Sequence, residues 1–203
     1  SLWGASLELV KFLEENDIQD GTSAIEVGAG CGALGLAAWK RGFSRVSLTD
    51  LEEMLPIMKE NIRFNGAETA VEARPVDWSD GGESAREVFA ARGPFDLIVG
   101  AEVTYDSRLH AGLVESLAIL CGAGAETKHP STGPRPRVII AIPRRDDDED
   151  IVAVARAKGF TVTELKVCPA SKDHSSDVIL MQFVPPSTGT WAELPVLSSQ
   201  AAG

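Results

Sequence analysis

A chain of 203 residues, 44% hydrophobic and 24% charged, has the size and composition of one globular domain with a sizeable core. No apolar run approaches the roughly 20 residues that span a bilayer. The net charge of −11 disfavours phosphate backbones, whose binding leans on Lys and Arg, and suits a basic partner or solubility alone.

In chain order, GASLELVKFLEEN (residues 4 to 16) carries apolar residues at helical spacing and predicts an opening helix. SAIEVGAG reads as a strand running into a glycine turn, ALGLAAWKRG as a small-residue helix closed by Gly42, and RVSLTD as a second strand. In LEEMLPIMKENIRFNG a helix is expected to start near Pro56, to bury Leu55, Met58 and Ile62, and to stop at Asn65-Gly66. TAVEARPVD is a third strand, followed by a polar stretch that becomes helical in its second half.

FDLIVGA predicts the fourth strand, and SRLHAGLVESLAILCG a helix with Leu109, Leu113, Leu117 and Leu120 on one face. After the Pro-rich loop KHPSTGPRPR, RVIIAIP is a fifth strand and DDDEDIVAVARAKG a helix whose opening acids suit the positive end of its dipole. FTVTELKV and DVILMQFV have no helix between them and must pair antiparallel. The expected fold is α/β: a doubly wound, mainly parallel seven-stranded sheet with a C-terminal antiparallel β-hairpin. One domain is expected over residues 1–184, with 185–203 a loosely packed tail.

Cys31, Cys121 and Cys168 are few, odd in number and far apart, with no CxxC and no histidine at ligand spacing. Free thiols in a reducing, cytoplasmic setting are expected, and no structural metal. A start at Ser1-Leu2-Trp3 is compatible with a trimmed terminus, which leaves nuclear or organellar targeting open.

The chemistry concentrates at strand ends. In IEVGAGCGALG the glycines Gly28, Gly30 and Gly32 sit where strand turns to helix, so a ligand can lie against the backbone. Gly28, Gly30 and Ala33 also satisfy a dinucleotide pattern, and a packing turn without ligand is a further reading. No lysine follows at P-loop spacing and there is no GxSxG elbow, which leaves nucleotide hydrolysis and serine-hydrolase chemistry without support.

Asp50 ends the second strand 24 residues after Glu26, where an acid reaches a ribose diol in nucleoside-binding α/β folds. That suits adenosine without separating NAD from S-adenosylmethionine. Glu26 before the glycines suits a cationic amino-acid end better than a pyrophosphate. Asp77-Trp78 offers an adenine acceptor and a flat surface. FDLIVGAEVTYD then delivers Glu102, Tyr105 and Asp106 after the fourth strand, with Asp106 expected to cap the helix from Ser107.

Together LWGASLELVKFLEEN, IEVGAGCGALGLAAWKRG, VSLTD, LPIMKENIRFNG, VDWSD and FDLIVGAEVTYD resemble the seven-β-strand, class I S-adenosylmethionine-dependent methyltransferases. Within them the chain is most similar to family 16, which contains protein lysine methyltransferases acting on calmodulin, elongation factors and chaperones. The resemblance implies a Rossmann-like fold and S-adenosyl-L-methionine as cofactor, with S-adenosyl-L-homocysteine as product.

It further implies that Trp3 packs at the cofactor entrance and that Glu26, Gly28, Gly30 and Gly32 hold the methionine part. Asp50 would take the ribose hydroxyls, Asp77 and Trp78 would frame the adenine, and Ala29, Leu51 and Ala101 would complete the cofactor-binding set. Glu102 and Tyr105 form the element associated with the target lysine, where many members have Asp in place of Glu102.

The implied function is methyl transfer to a lysine of a protein substrate by a monomer that binds neither nucleic acid nor membrane. Protein histidine or arginine, or a small molecule, is the alternative acceptor. A non-catalytic cofactor-binding interaction protein and a dinucleotide oxidoreductase are the alternative classes.

Overall fold

Strands joined through helices must run the same way, and the alternation in the sequence accordingly builds a mainly parallel sheet. The computed structural model describes residues 4–16, 22–124, 135–144, 148–172, 175–187 and 190–193. The first half contains α1 (Gly4–Glu15), β1 (Ser23–Val27), α2 (Ala33–Lys40), β2 (Arg45–Asp50), α3 (Leu55–Phe64), β3 (Val71–Pro75) and α4 (Glu83–Arg92). The second contains β4 (Leu97–Ala101), α5 (His110–Leu120), β5 (Arg137–Pro143), α6 (Asp148–Lys158), β6 (Thr161–Cys168) and β7 (Val178–Val184).

The sheet order is β3-β2-β1-β4-β5-β7-β6. β1 to β5 pair in parallel, and β7 pairs antiparallel with both β5 and β6. The expected terminal hairpin is present, with its return strand inserted between β5 and β6. Chain order reverses beside β1: β2 and β3 extend to one side, β4 and β5 to the other. An open α/β sheet has its ligand crevice outside the carboxyl ends of the strands at such a point.

Successive strand residues face opposite sides, so helices on both faces bury near-continuous apolar strands. Ala24, Leu48, Val99 and Ala141 pack with Leu9, Leu34 and Met58 of α1, α2 and α3. Ile25, Ile98, Ile140 and Phe183 pack with Val88, Leu117 and Ala155 of α4, α5 and α6.

Several expectations sharpen. The α3 helix begins at Leu55 after a 3₁₀ turn, Glu52–Met54, and it buries Leu55, Met58 and Ile62 as its spacing predicts. Leu109 falls off the α5 face, because it belongs to a separate 3₁₀ turn, Ser107–Leu109, while Leu113, Leu117 and Leu120 are buried. The third strand is shorter than its apolar pattern, spanning Val71–Pro75.

After β7 the chain docks back on the domain. Trp191 meets Phe160 edge to face at 4.9 Å, and the Ala192 N–H donates to the Lys158 carbonyl at 3.1 Å. Residues 194–203, most of the Pro-rich loop, and Trp3 lie outside the described residues.

Candidate active site

At the end of β1 the chain turns through Gly28 and Gly30, both with positive φ, before α2 begins. Space also demands glycine at residue 28: a Cβ there would stand 2.7 Å from Val103 and 3.1 Å from the Trp78 ring. At Gly30 nothing lies within 4 Å of that position, so the turn presents bare backbone to open space. Gly32 is the residue before α2, and Ala29 is buried, its N–H donating to the Thr49 carbonyl at 2.9 Å.

Glu26, expected to face a cationic ligand end, is sealed behind this turn at 3% exposure. Its carboxyl accepts the N–H groups of Leu34 at 3.3 Å and Gly35 at 2.8 Å, in the first turn of α2. Burial pushes the carboxyl up to about 8, against the two backbone donors that favour its ionised form. Gly35 is part of the same fit, since a Cβ there would stand 2.1 Å from Leu48. Glu26 therefore shapes the turn from behind and does not border the cavity in front of it.

That cavity measures about 310 Å³, within the roughly 300 to 1,000 Å³ usual for small-molecule sites. Gly28, Asp50 and Leu51 form one wall. Asp50 Oδ2 accepts the Gly30 N–H at 2.7 Å and Oδ1 the Leu51 N–H at 2.8 Å, which fixes the acid against the glycine turn.

The second wall contains Val76, Asp77 and Trp78. Asp77 Oδ1 accepts from the Ser79 N–H at 2.8 Å and its hydroxyl at 2.7 Å, which leaves Oδ2 as a free acceptor among the described residues. Asp80 stiffens the loop by accepting the N–H groups of Gly82, Glu83 and Ser84 at the start of α4. Behind it α5 comes unusually close. A Cβ on Gly112 would lie 1.8 Å from the Trp78 carbonyl oxygen.

The third wall follows β4 and contains Glu102, Val103 and Tyr105. Glu102 has φ 56, the one positive φ among the described non-glycine residues, and its N–H donates to the Ala141 carbonyl at 3.0 Å. Its Oε1 accepts the Ala5 N–H at 3.4 Å, so the side chain also touches the start of α1. Tyr105 is 65% exposed at the cavity rim. Asp106 caps the next turn as expected, accepting the Arg108 N–H at 3.0 Å. His110, buried in the first turn of α5, donates from Nε2 to the Thr104 carbonyl at 3.1 Å and braces this loop.

The structure thus brings Gly28, Asp50, Leu51, Asp77, Trp78, Glu102 and Tyr105 to one cavity. Glu26, Ala29, Gly30 and Gly32 belong to β1 and the adjoining turn without bordering the cavity, and Ala101 packs against the α1 to α3 core. Sequence reasoning missed Gly35, Gly112 and His110. Two are glycines inside helices and one is a lone histidine, and none belongs to a local motif. Among the described residues no group of three or more His, Cys, Asp or Glu could hold a metal ion, and no helix is long and apolar enough to cross a membrane.

A family model described as "Lysine methyltransferase" matches residues 1–150. The protein N-lysine methyltransferase METTL21A of Mus musculus is 32% identical over 124 residues, covering 59% of this chain and 54% of that protein. EEF1A lysine methyltransferase 3 of Mus musculus is 32% identical over 125 residues, covering 60% of this chain and 50% of that protein. The chain spans about half the length of these curated relatives. An O-methyltransferase family protein from Burkholderia thailandensis superposes with a TM-score of 0.65 at 15% identity, over 90% of this chain and 57% of that one, which shows a shared fold.

Proposed function

This chain belongs to the lysine methyltransferase family, and from that membership we propose that it transfers a methyl group from S-adenosylmethionine to a lysine side chain of a protein. The observation that carries the reading is one cavity at the switch point of the sheet, where an acid-and-tryptophan wall faces the loop of Glu102 and Tyr105. The lysine-methylating relatives support the acceptor class.

The residues present fit the cofactor. A carboxylate has about four lone-pair sites, so Asp50 retains acceptors for a ribose diol beside its bonds to Gly30 and Leu51. Asp77 Oδ2 suits an exocyclic amine, Trp78 offers a ring face, and the bare backbone at Gly30 leaves room for an amino-acid tail. When bound, the sulfonium supplies an already activated methyl group.

The chain's own task is then to position and deprotonate the acceptor. Lysine has an ordinary pKa of about 10.4 and must arrive neutral. Enclosure between Tyr105, Val103 and Trp78 removes water and favours the neutral amine. Glu102 orients that amine and takes up its proton through water, and correct placement supplies much of the rate.

Action as a monomer on protein rather than nucleic acid belongs to the same reading, supported by the net charge of −11. So does cytoplasmic residence, supported by free thiols at Cys31, Cys121 and Cys168.

The test is incubation with radiolabelled S-adenosylmethionine and cell-lysate proteins, followed by mass-spectrometric mapping of the labelled side chain. Label on lysine is expected. Label on histidine, arginine or a small molecule replaces the acceptor, and no transfer at all overturns catalysis.

A further inference from the structure

The exposed large hydrophobic residues of the described surface are Leu51, Ile57, Phe64 and Tyr105. Leu51 and Tyr105 border the cavity, while Ile57 and Phe64 lie on α3, which starts four residues after Leu51. The buried stripe of that helix is already complete in Leu55, Met58 and Ile62, so Ile57, 45% exposed, and Phe64, 88% exposed, add nothing to the core. Ile57, Glu60 and Phe64 recur at spacings of three and four and share one outward face. Glu53 precedes them in the 3₁₀ turn.

Among the described residues neither the Glu53 nor the Glu60 carboxylate has an ion-pair or hydrogen-bond partner. The face therefore carries one unpaired acid between two exposed apolar side chains, with a second unpaired acid in the turn that joins it to the cavity rim. Ile57 and Phe64 are about 10 Å apart along the helix, at its rise of about 1.5 Å per residue. That separation suits the i and i+7 anchors of one amphipathic helix.

We infer that the outer face of α3, through Ile57, Glu60 and Phe64, docks a basic amphipathic segment of the protein substrate and so delivers its lysine to the neighbouring cavity. The inference rests on the proposed protein methylation for its purpose, but the docking itself is measurable without turnover. The chain's acidity, −11 overall, favours a cationic occupant over a second copy of itself.

The probe is a fluorescent helical peptide with leucines at i and i+7 and lysines between them, followed by anisotropy and by backbone NMR shifts. Binding that weakens with salt, shifts the amides of residues 53–64 and drops at least about tenfold in the Ile57→Ser/Phe64→Ser double variant or in Glu60→Lys is expected. Both positions are exposed, so the folded core is untouched. Shifts confined to other elements, or equal binding by the double variant, overturn the inference. Concentration-dependent dimerisation that Phe64→Ser abolishes does so too, since a second copy would then cover the face. If the peptide docks here while labelled methyl transfer fails, the proposed reaction falls and this surface stands.

Discussion

The Asp50 carboxylate accepts the Gly30 N–H at 2.7 Å, which joins the acid ending β2 to the glycine turn ending β1 in one hydrogen-bonded unit. The two strands are neighbours in register, Val27 beside Thr49, so their carboxyl ends meet at the same level. One side chain thereby sets the turn and forms part of the cavity wall.

Asp50→Ala removes both functions. Hydrogen bonds to a charged group contribute about 1.5–3 kcal/mol, so S-adenosylhomocysteine should bind about tenfold to a hundredfold more weakly by calorimetry. Asp50→Asn keeps one acceptor and should fall between. Wild-type affinity in the alanine variant would remove Asp50 from the ligand site.

Gly112→Ala separates helix propensity from packing. In an unconstrained helix the change stabilises by about 1 kcal/mol. Here the new methyl would press on the Trp78 carbonyl at 1.8 Å, so the denaturation midpoint should fall. Affinity for S-adenosylhomocysteine should fall with it as the Asp77-Trp78 wall shifts. A raised midpoint with unchanged affinity would show that α5 moves away freely.

Glu26→Gln should flatten a pH dependence. The carboxyl titrates near 8 when folded and near 4.5 when unfolded, so between these values the folded protein holds a proton that the unfolded chain has lost. The stability contributed by this group is full below about 4.5 and is lost as the pH rises to about 8. Relative to the Gln variant, the wild type should lose up to about 1.4 kcal/mol per pH unit across that window. Above it the two curves should run parallel in urea melts. Curves parallel throughout would mean that Glu26 is ionised at neutral pH.

Glu102→Gly tests strain against chemistry. A left-handed backbone costs a non-glycine residue on the order of 1–2 kcal/mol, and Glu102 sits at φ 56. The glycine variant should be at least as stable as the wild type in thermal melts, bind S-adenosylhomocysteine within a few-fold, and lose about a hundredfold or more in transfer rate. Undiminished turnover would remove Glu102 from proton handling. Glu102→Asp should retain part of the rate, because the carboxylate remains and only its reach shortens.

The legible features were local ones. Leu55, Met58 and Ile62 declare the buried face of α3 by spacing, and Gly28 and Asp50, by their places at strand ends, point to the place where the cavity opens. Leu109 misled for a local reason: it matches the α5 stripe in spacing, but the 3₁₀ turn rotates it out of phase and sets it at the cavity. Glu26 stands out in the sequence as an acid just before the glycines, whereas its direction is not legible there. Strand alternation gives a face of the sheet, and only the packed α2 shows that its first-turn N–H groups claim both oxygens.

By itself the sequence determined the order of strands and helices, the antiparallel closing pair, and the acids and glycines placed at carboxyl ends. Periodicity, turn chemistry and the lack of a crossover helix are properties of short stretches. The tertiary structure alone decided that α5 presses Gly112 onto the Trp78 carbonyl, that Glu102 reaches the start of α1, and that Ile57 and Phe64 lack a covering neighbour among the described residues. Those relationships join segments distant in the chain or depend on what packs beside a helix, and close approach in space leaves no period in the sequence to read.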